Sequence, residues 1–323
     1  MVRRGLLLGA LLCLVPPVAA ARDRLAETGA ALSAFEAGTL SVTQAANRIS
    51  LNDGEGAATE YLTRKLTQVF DARRRSAYLE LLSLVGTPNA GLIDVAAATL
   101  KGSDDVSQRI VAARILGRMR TPAVAPLLTP LLTDKVLGLR RESARALVSI
   151  RAVKAAGPLA KAAVVEDDPE TRSLMIVGVG RLGDVKQAKT LEPLLESSSE
   201  TTRVAATQAL CLLGNKKGVE AARALLGSKD KFERVQGVML FDGADAKVLV
   251  PLIEPMTTDP EPMVRARAAR ILAQAGMGRW VEWLVLESFR GGVDDKLTFE
   301  TELEQLRLSD EQRAAILKKA GLK

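Results

Sequence analysis

Gly178, Gly180 and Gly183, in the stretch VGVGRLG, reproduce the GxGxxG spacing that cradles a dinucleotide pyrophosphate. In that chemistry the glycines let backbone N–H groups approach the phosphates at a helix N-terminus, and a later acidic residue holds the ribose. Glu200 has a passable spacing for that acid. A second feature is the arginine series Arg109, Arg141, Arg172, Arg203, Arg234 and Arg265, which could form a surface ladder for anionic ligands. The two tryptophans, Trp280 and Trp283, stand three residues apart and could anchor a partner, because tryptophan is enriched among binding hot spots.

The residue types also exclude chemistry. The chain contains no histidine, which removes the usual general base near neutral pH and the commonest metal ligand. Ser-His-Asp triads, Cys-His pairs and histidine zinc sites are excluded with it. The run NDGEG at 52–56 has too few acids for a calcium loop and reads as a turn. Neither a metal nor a cofactor is expected. Cys211 lies in the apolar stretch ALCLLG with no basic neighbour in sequence, the setting of a buried, unreactive thiol.

Residues 1–21 have the layout of a secretory signal peptide. Arg3 and Arg4 form the charged end and Leu6 to Val15 the apolar stretch. Pro16 and Pro17 close that stretch, and small residues at 18–21 offer a cleavage site. Cleavage would remove Cys13, leaving Cys211 without a disulfide partner. The expected location is periplasmic or extracellular, and no later segment resembles a membrane span. The formal charge of +7 would fall to about +5, which permits an acidic partner without demanding one. Nucleic acid is not expected of an exported chain with only 3% aromatic residues.

The elements that position these residues come from a repeat. The arginine spacing is 32 residues once and 31 thereafter. Three residues after each arginine stand Ala112, Ala144, Met175, Ala206, Gly237 and Ala268, and seven after stand Leu116, Val148, Val179, Leu210, Phe241 and Leu272. Positions three and seven apart share a helix face, so each repeat opens with an amphipathic helix carrying a small contact site. A second apolar block follows, with prolines in register: Pro126, Pro158 and Pro251 in one column, Pro130, Pro193 and Pro255 in another. A proline placed there starts or bends the second helix. A two-helix unit of this length cannot bury its apolar stripe alone and must stack on its neighbours. The fold expected is all-α, an α-solenoid or superhelix of stacked antiparallel helix pairs.

DPEPMVRARAARILAQAG (Asp259 to Gly276), DDVSQRIVAARILG (Asp104 to Gly117) and SETTRVAATQALCLLG (Ser199 to Gly214) resemble the first helix of a HEAT repeat, in particular of the short, phycobilisome-lyase-like class. The resemblance spans Ser76 to Phe289 and implies fold more than function, since HEAT arrays serve many roles. It implies that acids preceding the arginines (Asp105, Asp168, Glu200, Asp259) pair with them to tie each turn to the helix it enters. The organisation expected is a signal peptide (1–21), an N-terminal helical cap (22–75), a HEAT-like array (76–290) and a C-terminal helical cap (291–323).

Within the repeat the glycine motif dissolves. Gly183 shares a column with Gly214 and Gly276, where glycine ends a helix in a left-handed conformation. Gly180 shares a small-residue column with Gly117, Ser149, Cys211 and Ala273, and Gly178 is the odd member of a column of Ile115, Leu147, Ala209, Leu240 and Ile271. The function expected is non-catalytic: an exported scaffold binding a protein partner along its solenoid surface. Two alternatives are an envelope protein that binds acidic polymers and, from the resemblance alone, an enzyme of the lyase or chromophore-attachment type.

Overall fold

The structure, a computed structural model, describes residues 18–52 and 54–322. Of the expected signal peptide, residues 1–17 lie outside the described residues, and Val18 to Ala21 form the first turn of a helix. Among the described residues every regular element is helical. None of these helices is long and apolar enough to cross a membrane.

The chain divides into two compact units, 1–119 and 120–323. The N-terminal unit contains α1 (Val18–Glu36), α2 (Val42–Leu51), α3 (Glu55–Leu66), α4 (Ala72–Val85), α5 (Ala90–Gly102) and α6 (Val106–Arg118). Here α4 packs between α2 and α6, and α5 packs on α3, so first helices stack on first helices and second on second. Helix α4 runs through position 75, where the cap was expected to end.

The C-terminal unit contains α7 (Ala125–Leu128), α8 (Leu137–Ser149), α9 (Ala156–Val165), α10 (Pro169–Leu182), α11 (Ala188–Leu191), α12 (Glu200–Leu212) and α13 (Lys216–Leu226). These are followed by α14 (Lys231–Met239), α15 (Ala246–Ile253), α16 (Pro262–Gln274), α17 (Gly278–Arg290), α18 (Val293–Glu304) and α19 (Asp310–Lys319). First helices again stack in order, α8 on α10 on α12 and α14 on α16 on α18. The all-α solenoid of helix pairs is therefore the observed architecture.

The first helices form where the sequence caps them. Asp105, Asp168, Ser199 and Asp230 occupy extended N-cap positions and accept backbone N–H bonds from the first turn. Leu116, Leu147, Val179, Leu210, Phe241 and Leu272 are fully buried in the stack. Each such side chain contributes about 2 kcal/mol by leaving water.

The prolines shape the second helices. Pro130, Pro193 and Pro255 each sit in a 3-10 segment, Thr129–Thr133, Glu192–Glu196 and Glu254–Thr258. Where the same column holds Ala162 or Ala224, α9 and α13 continue as ordinary α-helix. Proline lacks the N–H that would close the i to i−4 bond, and its ring crowds the carbonyl four residues back.

Candidate interaction groove

The arginine column is a set of turn clasps. Arg203 donates to the Ser197 and Ser198 carbonyls, Arg234 to Ser228 and Lys229, and Arg265 to Asp259 and Pro260, all at 2.7–3.1 Å. Arg172 donates to the Glu166 carbonyl at 2.6 Å and Arg109 to that of Leu100 at 3.2 Å. Each of these arginines lies four residues after an N-cap, and helical side chains lean toward the N-terminus, so the guanidinium reaches the preceding turn.

Two expectations are corrected here. In α8 the clasp is Arg140, not Arg141: Arg140 is the residue four after the N-cap Val136 and donates to the Asp134 and Lys135 carbonyls. Arg141 instead donates to Asp168 and Thr171 of the next repeat. The 32-residue step therefore falls one repeat later, and Leu147 rather than Val148 is the fully buried member of its column. The second correction concerns the acids. Asp105 and Asp168 cap their own helices, and the carboxylate partners of the clasps come from the following repeat, as in Arg140–Glu166 and Arg234–Asp259.

The glycine motif is packed as helix. Gly183 has φ 74 and ends α10, as Gly214 and Gly276 do at φ 65 and 89. At Gly180 a Cβ would lie 2.7 Å from the Ala209 Cα, so α10 and α12 approach closely there. In the corrected register the column of Gly178 contains Ala146 and Ala209, and its own Cβ would lie 2.8 Å from Val148 Cγ2. Gly178 is thus a close contact. Where the fourth repeat of this unit has Asp245 in place of glycine, the left-handed residue moves to Gly243, and Asp245 caps α15.

Trp280 and Trp283 are half-buried on α17. Their rings meet edge to face at 5.7 Å, and Trp283 meets Phe299 of α18 at 5.6 Å. Both pack on the apolar cluster that includes Leu284, Val285 and Leu303. Arg279 lies over the Trp280 ring, while the Trp280 Nε1–H is buried with no acceptor. Cys211 is fully buried, and burial pushes its thiol up to about 12, which leaves no thiolate for nucleophilic or metal chemistry near neutral pH.

A separate concavity involves none of these residues. A groove of about 730 Å³ runs between two successive second-helix starts of the C-terminal unit. One wall is Pro122, Ala123, Pro126 and Thr129; the other is Ala152, Val153 and Ala155. Val153 is 51% exposed although wholly apolar. Two cations, Arg151 and Lys154, complete the lining, which includes no acid. Its size is that of ordinary ligand-binding clefts.

Arg151 also carries backbone strain. Its φ is 53, and Arg120 has φ 50, in the turn position that Gly183, Gly214, Gly243 and Gly276 fill in four later repeats and Arg307 holds at φ 52 in the last. A side chain in this left-handed region costs about 1–2 kcal/mol. The charge is concentrated as well: residues 120–165 contain eight basic side chains and two acidic ones, in a chain whose total is +7. Sequence reading missed this groove, although two arginines in a glycine column were a legible sign of it. Short basic groups elsewhere are engaged or paired, with Arg75 donating to the Leu66 carbonyl, Lys217 paired with Glu192 and Lys319 with Glu282.

Comparison with known proteins agrees with this architecture. Residues 93–180 match the family model for HEAT repeats. The complex of CpcE and CpcF of phycocyanin lyase from Nostoc sp. PCC7120 is similar at 17% identity, over 77% of this chain and 94% of that one, with a TM-score of 0.50. Human deoxyhypusine hydroxylase in complex with glycerol is similar at 18% identity over 79% and 98%, with a TM-score of 0.33. The archaeal HEAT-like repeats protein from Thermococcus onnurineus NA1 is similar at 17% over 86% and 98%, with a TM-score of 0.24. At 17% identity the likeness to the lyase complex is one of fold alone. A search of the curated proteins finds no match. Residues 93–180 thus match HEAT repeats, and the chain has a HEAT-like α-solenoid fold.

Proposed function

We propose that this HEAT-repeat chain is an exported, non-catalytic scaffold that holds a protein partner on its solenoid surface. The observation that carries the reading is the open groove between Pro122 and Ala155, where exposed apolar side chains and two cations face one cavity. Solenoids present such shallow, extended surfaces because each repeat adds one more pair of helix ends to the same side. An apolar floor with a few placed charges suits recognition of a side-chain pattern.

The absence of histidine and the burial of Cys211 support a binding role over chemistry. The charged and apolar N-terminal stretch closed by Pro16 and Pro17 supports export. The test places a photo-crosslinking residue at Val153 of the full chain in its native cells, with a second at exposed Val250 of α15 as a control. The expected result is one discrete protein adduct from position 153, in the exported fraction, from a chain shortened at its N-terminus. Absence of any protein adduct from either position would overturn the scaffold reading. A full-length chain retained in the cytoplasm would overturn export.

A further inference from the structure

We infer that the occupant of the groove is an extended, acidic segment of the partner, with short apolar side chains or prolines between its carboxylates, and that Arg151 determines this specificity. The inference rests on the groove being a protein-binding site and adds the chemistry of what binds there.

The charge argument comes first. Arg151 and Lys154 line the same cavity, both exposed, with no acid among the lining residues. Some basic side chains elsewhere in the unit are matched by carboxylates, Arg140 by Glu166, Lys217 by Glu192 and Arg279 by Glu254. Two like charges facing one low-dielectric concavity raise its positive potential, and an anionic segment relieves that repulsion. Carboxylates fit this role well, because the guanidinium fork of Arg151 can take both oxygens of one.

The backbone argument is independent of charge. Four later turns of this unit solve the left-handed position with glycine, which carries no side chain and little strain, while the last, at Arg307, again holds arginine. Position 151 keeps arginine at φ 53 and lines the groove. Strain alone does not mark a contact, since Arg120 and Arg307 share it outside the lining; at Arg151 it coincides with a place in the groove. Arg120 shares the backbone conformation but is outside the lining, which makes it an internal control.

Shape selects an extended segment. The walls are small or ring-closed residues, Pro122, Ala123, Pro126, Ala152 and Ala155, which leave a shallow trough with Val153 at its edge. Such a lining suits an extended chain with short apolar side chains or prolines.

The test uses the full chain and fluorescein-labelled synthetic peptides read by anisotropy. The first probe has a Leu-Pro-Leu-Pro core flanked by glutamates; the second has the same core flanked by lysines; polyglutamate serves as a competitor. The acidic probe should bind, more weakly as salt rises, and the lysine probe should not. Arg151→Gly and Lys154→Glu should each weaken binding by roughly tenfold or more. Arg120→Gly should change it by less than about threefold. Arg151→Gly should keep or raise Tm, which separates lost contact from lost folding. Equal binding of both probes, unchanged affinity in Arg151→Gly, or no binding of the acidic probe would each overturn the inference. Displacement by polyglutamate at the same carboxylate concentration would overturn it in favour of an acidic polymer. These outcomes leave the crosslinking result at Val153, and with it the broader scaffold reading, as a separate matter.

Discussion

Arg140 of α8 closes a two-bonded fork on Glu166, the residue after α9, with Nε to Oε2 at 2.7 Å and NH2 to Oε1 at 2.9 Å. The same guanidinium donates to the Asp134 and Lys135 carbonyls, so one side chain joins its own entry turn to the turn that opens the next repeat. Arg234 repeats the arrangement with Asp259. Planar, multiply donating guanidinium suits this better than ammonium, which cannot present a fixed fork.

This gives the first prediction. Arg140→Ala should lower Tm more than Arg141→Ala, because it strands the buried Glu166 carboxylate, whereas Asp168 keeps its bonds from Thr171. Arg140→Lys should recover little of the loss. Thermal denaturation by circular dichroism checks both, and full rescue by lysine would refute the clasp geometry.

The two helical glycines should respond differently to a methyl group. At Gly180 an alanine Cβ meets the Ala209 backbone at 2.7 and 2.9 Å, so α10 and α12 must separate. Overpacking of this kind costs about 1–3 kcal/mol. At Gly178 the obstacle is the tip of Val148, and alanine returns about 1 kcal/mol of helix propensity. Gly180→Ala should therefore be clearly destabilising and Gly178→Ala close to neutral. Chemical denaturation midpoints of the two variants decide the order.

The C-terminal helices are held by a buried ion network. Glu302 of α18 takes Arg270 at 2.7 Å and Arg267 at 2.8 Å, with the Arg270 and Glu302 side chains 7% and 6% exposed. Removing Glu302 leaves two guanidinium groups without their carboxylate, a loss of about 3 kcal/mol. In Glu302→Ala, amides of α18 and α19 should lose hydrogen-exchange protection before those of α10 and α12. Glu300→Ala, which breaks a more exposed pair with Arg313, should shift stability by less than about 1 kcal/mol.

Acid should loosen the joint between α8 and α10. The Thr171 hydroxyl and N–H, with the Arg141 guanidinium, hold the Asp168 carboxyl down at about 2, against its ordinary 3.8. A depressed carboxylate stabilises the fold fully above its unfolded pKa and ceases to do so as pH falls through its folded one. The Tm difference between the wild-type chain and Asp168→Asn, which keeps the cap oxygen, should be present at pH 6. It should shrink below pH 4 and vanish only below about pH 2. A difference as large at pH 2 as at pH 6 would exclude the charge as its source.

Sequence by itself determined the class of fold. A repeat of 31 or 32 residues, with its small and apolar columns, forces amphipathic helices that are stable only when stacked, and this is local information repeated along the chain. The left-handed glycines 183, 214 and 276 were legible for the same reason, since such turns depend on near neighbours, whereas Asp105 and Asp168, expected to pair with the arginines, cap their own helices. Register across a 32-residue step was not legible, because adjacent arginines at 140 and 141 satisfy the spacing equally well. Only the distance to the N-cap and the position of Glu166 separated them. The groove was likewise a tertiary fact. Pro122 and Val153 are far apart in the chain and form opposing walls only because successive repeats stack, which also brings Arg151 and Lys154 to one cavity.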